Sequence, residues 1–248
     1  MQADIAIIGG SGFYDMDMMT QVDQVTIATE YGQAVASVGL LEGKAVAFMP
    51  RHGAGHTVPP HLVNYRANIA ALEQIGVKKI LATVSVGSLN MDMEPGNLVI
   101  LDQFIDFTKN RPLTFYEGGS SGVVHTDMTN PYCSSLRELV LKASGSLKRR
   151  VHNHGVYVCT EGPRFETPAE INMFRILGGD VVGMTNVPEV VLAGEKGLCY
   201  AAVAVVTNFA AGISPTPLSH DEVLAEMSSS HTDLRELLRL IVKEISLE

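Results

Sequence analysis

The sequence predicts an α/β fold built on a doubly wound sheet, with a meander of strands near its start. Three observations predict it. Six or more apolar runs of strand length alternate with helix signals. Most of these runs stop at a glycine-rich or polar turn. The 248 residues, 46% hydrophobic and 18% charged, suit one large core, and no linker, repeat or low-complexity segment divides them. A single domain over 1–248 is the expectation.

Composition also narrows the partners. A formal net charge of −9 argues against binding to a nucleic-acid backbone, which requires a basic face. A small anion is still possible where a few cationic groups gather. No apolar run approaches the roughly 20 residues of a membrane span, and no basic segment with an apolar core opens the chain. Cys133, Cys159 and Cys199 show no close pairing, and two of them lie in apolar runs. Reduced thiols and a cytoplasmic setting are expected.

Asp4–Ile8 reads as a buried strand stopping at Gly9-Gly10-Ser11-Gly12, a loop whose backbone can approach an anion. It lacks the Gly-x-Gly-x-x-Gly spacing and the following helix of a dinucleotide site. Val25–Ala28, Ala34–Gly39 and Lys44–Met49 form the meander. Its last strand delivers Pro50-Arg51-His52-Gly53. The spacing of His52, His56 and His61 suggests a metal, but Gly53, Gly55, Pro59 and Pro60 deny these imidazoles one helical face, so no metal is expected. A helix follows over Pro60–Gln74, with Val63, Ala67, Ala70 and Leu72 inward. Ile80–Val84 is a buried strand ending at Ser85-Val86-Gly87-Ser88, and Leu98–Phe104 is the next strand. Glu117–Asn130, polar and glycine-rich with a lone His125, reads as a loop or a subunit contact. A helix is expected over Ser134–Ser144.

Val156–Glu170 concentrates the strongest signals. An apolar strand (Val156 to Cys159) stops at Gly162-Pro163. Thr167, Pro168 and Glu170 then form a capping box with proline at the first helical position. Arg164, Phe165 and Glu166 therefore occupy a strand-to-helix connection, where α/β sheets bind ligands. An aromatic, a carboxylate and a guanidinium there can grip a flat polar ligand such as a purine. Taken alone, the same residues favour an ordinary loop with a solvated Glu166 and a Phe165 tucked into the core.

Asp180–Met184 is a further strand, ending at Thr185-Asn186-Val187-Pro188-Glu189. Asn186 suits the cap of the next helix and Glu189 its third position, so Thr185 lies where helix amides favour anions. Leu198–Thr207 is a long buried strand ending at Asn208, and Ser219-His220-Asp221-Glu222 opens a last helix running to about Ser246. Strand ends thus deliver Ser11, Arg51, His52, Ser85, Phe165, Glu166, Thr185 and Asn208 towards one edge. Serine, arginine, histidine, threonine and loop amides make a phosphate site. Phenylalanine, glutamate and asparagine make a purine site.

These stretches resemble a known family, the trimeric purine nucleoside and methylthioadenosine phosphorylases. The carrying segments are IAIIGGSGFYD, PRHGAGHTVPPHLVNYRANIAAL, LDQFIDFTKNRPLTFYEGG, GVYVCTEGPRFETPAE, VVGMTNVPEVVLAGEKGLCYA and VVTNFAAG, in order along nearly the whole chain. The resemblance implies a single α/β domain around a twisted mixed β-sheet flanked by helices. It also implies a homotrimer, and cleavage of a purine nucleoside by inorganic phosphate with no metal or other cofactor. It assigns phosphate to Ser11, Arg51, His52, Thr185 and the backbone near Ser85, and places Met184 beneath the ribose and Phe165 against the base. It sends His125 to a neighbouring subunit's site. His52, Glu166 and Asn208 are the residues it points to for catalysis.

One departure bears on substrate. The methylthioadenosine branch carries acidic residues on the segment matching VVTNFAAG, where this chain has Asn208 and Ala210. The 6-oxopurine branch has asparagine there, and Phe-Glu where this chain has Phe165-Glu166. A carboxylate accepts from N1–H of hypoxanthine or guanine, whereas adenine would leave it unpaired. His220 matches a histidine that meets the ribose 5′-hydroxyl in the 6-oxopurine branch, and it equally suits an exposed first-turn residue. Phosphorolysis of inosine and guanosine to base and ribose 1-phosphate is the expectation. S-methyl-5′-thioinosine or S-methyl-5′-thioadenosine is the alternative.

Overall fold

Every residue of β1 (Ile5–Gly9) is buried: Ala6 and Ile8 face one apolar layer, and Ile5 and Ile7 the other. A strand apolar on both faces needs helices on both faces. In the computed structural model, which describes residues 2–13, 17–53, 55–213 and 217–246, the sheet is built that way. Its further strands are β2 (Thr20–Thr29), β3 (Gly32–Leu41), β4 (Lys44–Pro50), β5 (Lys79–Ser88), β6 (Leu98–Ile100), β7 (Gln103–Phe107), β8 (Val151–His152), β9 (Val156–Thr160), β10 (Val181–Gly183) and β11 (Cys199–Phe209). The helices are α1 (Tyr65–Gln74), α2 (Ser134–Ser144), α3 (Pro168–Ile176), α4 (Asn186–Glu195) and α5 (His220–Glu244). α1 and α4 pack together on one face, α2 and α5 on the other.

The meander is present as the antiparallel run β2-β3-β4. β4 then lies parallel to β1, and β1 parallel to the first half of β5, through Ala82. Beyond Ala82 the strands part. The far end of β5 pairs instead with β10, and antiparallel: Val182 lies opposite Gly87 and Val181 opposite Ser88. β9 and β7 continue parallel to β10. β11 runs along the other side of β5, parallel, with a register shift between Val206 and Asn208. The sheet is therefore mixed and forked at β5. The strands do not all finish at one edge, as the sequence suggested. β1, β4 and β11 approach the fork from one direction, β9 and β10 from the other.

Other boundaries moved for local reasons. The helix read from Pro60 is a short 3-10 turn (Pro60–Leu62) followed by α1, because Asn64 caps a new start by accepting from Ala67 N. The strand read over Leu98–Phe104 splits into β6 and β7, which pair with different partners. Asn186 does not cap α4: its side chain is held in the core between the Tyr132 and Tyr200 hydroxyls, and Val187 is non-helical. The capping box of α3 is present as read, and Ser219 accepts from Glu222 N at the start of α5. The other end of α5 is tied down by Lys44, whose ammonium donates to the carbonyls of Val242, Lys243 and Ile245, and by Lys79, which donates to Ser246 O.

The cysteines correct the expectation of reduced thiols. Cys133 and Cys199, 66 positions apart, form a disulfide. Cys133 N donates to Tyr200 O, which brings the turn before α2 onto the start of β11 and the two sulfurs together. Spacing along the chain holds no trace of this tertiary neighbour. Cys159 is the buried free thiol, pushed up to about 12 by burial. Denatured without reductant, the protein should titrate one thiol per chain with Ellman's reagent, and three after reduction. The Cys133→Ser variant should lose up to about 4 kcal/mol of stability by the loop-closure relation, read from urea unfolding.

Candidate active site

The fork in β5 opens a cavity of about 330 Å³. Ser11, Arg51, His52, Ser85, Phe165, Glu166, Met184, Thr185, Asn208 and His220 all line it, so ten of the eleven residues singled out in the sequence converge. The eleventh, His125, sits exposed on the 117–130 loop, away from this cavity.

Arg51 leaves the end of β4 and is buried. Nε and Nη2 grip the Glu189 carboxylate, each at 2.7 Å, and Nη1 donates to Thr83 O at 2.9 Å. Burial pulls against the guanidinium's charge, but the Glu189 carboxylate more than offsets it and keeps the group cationic. Three of the five guanidinium N–H donors are thus engaged. Glu189 was legible in the sequence only as a first-turn helix residue. Its partners are Arg51 and the Tyr200 hydroxyl, which donates to Oε1 at 2.6 Å. Gly10 comes close for a definite reason. Its N–H donates to Thr83 Oγ1, and any Cβ there would stand 2.6 Å from Thr83 O.

His52 is pulled down to about 4 by burial and then by the Arg51 charge, so it is neutral at pH 7. Its Nδ1 lies 2.8 Å from Val58 O. A carbonyl only accepts, so Nδ1 carries the proton and Nε2 is the acceptor nitrogen. The ring lies 4.3 Å from that of His56, which lies 5.7 Å from that of His220. Thr185 N is held by the Tyr157 hydroxyl at 3.1 Å.

The other end of the cavity reverses the ordinary-loop reading of Phe165 and Glu166. Phe165 is 37% exposed at the mouth, and Glu166 is 9% exposed inside. Burial raises the Glu166 carboxyl, while the Thr160 hydroxyl, donating to Oε1 at 2.6 Å, opposes the shift. Gly162 takes a positive φ of 64°, and a Cβ there would meet Met184 Sδ at 2.6 Å, so the turn into this connection requires glycine. Asn208 is buried just past the register shift in β11, its Oδ1 accepting from Thr207 Oγ1 at 2.8 Å. Arg111, inside a motif the sequence marked only by resemblance, is buried and donates to the carbonyls of Thr160, Glu161 and Val187.

A buried guanidinium–carboxylate pair beside a neutral imidazole, with a further buried carboxylate and amide lining the same cavity, define a small-molecule site of the α/β class. The chain matches the Phosphorylase superfamily over residues 4–243. A protein of Moorella thermoacetica named a probable 6-oxopurine nucleoside phosphorylase is 58% identical, covering 94% of this chain and 90% of its own. One of Methanothermobacter thermautotrophicus, named a probable S-methyl-5′-thioinosine phosphorylase, is 48% identical over 98% of this chain and 85% of its own. The methylthioadenosine phosphorylase of Schistosoma mansoni, solved with adenine, superposes with a TM-score of 0.92 at 36% identity, covering 97% of this chain and 91% of that one. This chain belongs to the phosphorylase superfamily.

Two outcomes follow from the buried groups. Glu189→Gln leaves the Arg51 charge unpaired in the core and should cost about 3–5 kcal/mol, seen as a large fall in Tm. For His52 the folded value lies below the ordinary 6.5, so the unfolded chain binds more protons between those two values. Its contribution is complete above pH 6.5 and is lost as pH falls towards 4, by up to about 3 kcal/mol. The difference in unfolding free energy between wild type and His52→Gln, measured across that range, should follow this slope.

Proposed function

We propose that the chain catalyses phosphorolysis of 6-oxopurine nucleosides, giving the free base and ribose 1-phosphate. The observation that carries this reading is that Glu166 and Asn208, both buried, line the same cavity as Arg51. Inorganic phosphate, as co-substrate, would lie among Ser11, Arg51, His52, Ser85 and Thr185. The Arg51 guanidinium would bind it, and His52 Nε2 would accept a hydrogen bond from its hydroxyl. No other cofactor is needed. The base would sit between Phe165 and Asn208, with Met184 beneath the ribose and His220 at its 5′ end.

Cleavage of the glycosidic bond develops positive charge on the ribose and negative charge on the purine. Phosphate faces C1′, stabilises that cation and bonds to it as the C1′–N9 bond breaks. Asn208 steadies the leaving base at N7, and Glu166 accepts from N1–H. The acceleration comes from positioning and from dipoles fixed in advance, both of which a site this buried favours. We further propose a homotrimer in which His125 reaches a neighbour's cavity. This would give its exposed loop a purpose.

A second reading has its own support. Leu218 and Val223 line the cavity beside His220, an apolar wall suited to a 5′-methylthio group, so S-methyl-5′-thioinosine or S-methyl-5′-thioadenosine is the alternative substrate.

Base release from inosine, guanosine, methylthioinosine, methylthioadenosine and adenosine, each with and without phosphate, separates these readings. Phosphate-dependent cleavage of inosine and guanosine is expected. Cleavage without phosphate would overturn the phosphorylase reading. Asn208→Asp should move preference towards 6-aminopurines by about tenfold or more, because a carboxylate there accepts from the 6-amino group and repels O6. An unchanged inosine-to-adenosine ratio would remove Asn208 from base recognition.

A further inference from the structure

Thr160 is the last residue of β9, and its hydroxyl has two acceptors within reach. Glu166 Oε1 lies at 2.6 Å and Gly183 O at 3.4 Å. One hydroxyl carries one proton, and the shorter contact takes it. The backbone of Thr160 is itself fixed. Arg111 Nη2 donates to Thr160 O at 3.2 Å and to Glu161 O at 2.7 Å, and Nη1 donates to Val187 O at 2.8 Å. A continuous set of bonds therefore runs from a buried guanidinium, through the end of β9, to one oxygen of Glu166. With Oε1 engaged in this way, the carboxylate still has acceptor capacity for a base.

We infer that Thr160 is a specificity-determining positioning residue: its donation to Oε1 holds Glu166 as an acceptor-only carboxylate, which selects bases that present an N–H at that edge. The inference rests on the reading of Glu166 as the base-facing group. Its chemistry is a matter of donor count. A carboxylate accepts only, whereas a carboxylic acid also donates. A 6-oxopurine offers N1–H and suits the carboxylate. A 6-aminopurine offers a bare N1 and an amino group, and suits the acid. Burial already favours the acid form of Glu166. Thr160 and the residue's own N–H oppose that, Glu170 adds to it, and Arg164 opposes it. Arg164 and Glu170 are bonded to each other, so neither is committed to Glu166. Asn208, on β11 at the same cavity, carries no charge. Thr160 is therefore the side chain with most control over which form is present.

The experiment compares wild type, Thr160→Val and Thr160→Ser. The readout is the ratio of kcat/KM for inosine to that for adenosine, taken from about pH 5 to 8. Phosphate binding and general loosening affect both substrates and cancel in the ratio. In Thr160→Val the ratio should fall about tenfold at neutral pH, as expected for loss of a hydrogen bond to a charged acceptor, and its acid limb should move up by about one pH unit. Thr160→Ser, which keeps the hydroxyl, should restore both. A ratio that matches wild type overturns the inference. An independent arm follows the Glu166 carboxyl by carbon-13 NMR without substrate, assigned with Glu166→Gln. Its midpoint should rise in Thr160→Val, and an unmoved midpoint overturns the inference. If wild type does not prefer inosine, the 6-oxopurine reading fails, and the NMR midpoint still decides whether Thr160 controls Glu166.

Discussion

The buried pair of Arg51 and Glu189 is the constraint around which the site is arranged. An unpaired charge in this core would cost several kcal/mol, so neither residue can be there without the other. Satisfying both draws in much of their surroundings. Arg51 fixes the end of β4 against Thr83 in β5. Glu189 draws in the Tyr200 hydroxyl, Tyr200 holds Asn186, and Asn186 accepts from Tyr132. The start of α4 and the start of β11 are thereby set relative to β4 and β5. The pair is neutral overall, so the core takes up no net charge.

The two ends of the cavity use opposite devices. At the Arg51 end a charge is locked in its ionised form, and the neighbouring His52 is kept neutral. At the Glu166 end a carboxylate sits where burial works against its charge, and one hydroxyl opposes that effect. The first end is insensitive to small changes in its surroundings. The second sets burial against a hydrogen bond on one carboxyl. The forked sheet makes the division possible. β1, β4 and β5 supply the anion end, β9 and the connection after it the base end, and β10 brings Met184 and Thr185 between them.

Much of this was legible in the residues, and the failures have physical causes. Strand-end residues were identifiable because apolar runs stop abruptly at Gly10, Arg51, Thr185 and Asn208, whereas β5 runs on past Ser85 to Ser88. The capping box at Thr167 was legible because its bonds span only three residues. What escaped depends on partners distant along the chain. Glu189 at a third helical position looks like a capping group, and only the fold brings Arg51 to it, 138 residues away. Asn186 looked like a cap for the same reason. The Cys133–Cys199 bond, the fork at Ala82, and the inversion of Phe165 and Glu166 between core and solvent all follow from long-range pairing. Strand order anticipated the convergence of eight site residues, and the family resemblance added Met184 and His220. It gave no sign of Thr160.

α5 closes one wall of the cavity with His220 and Val223 at its start, and Lys44 holds the carbonyls at its far end. Packing is uneven along the rod: Leu234, Leu237, Leu238, Ile241 and Val242 are all buried in its second half, whereas His220, Asp221 and Glu222 are exposed. A helix of 25 residues is about 37 Å long, so a tilt of one degree about the Lys44 anchor displaces His220 by about 0.6 Å. A small change in how the far end is seated is therefore magnified at His220, on the cavity wall.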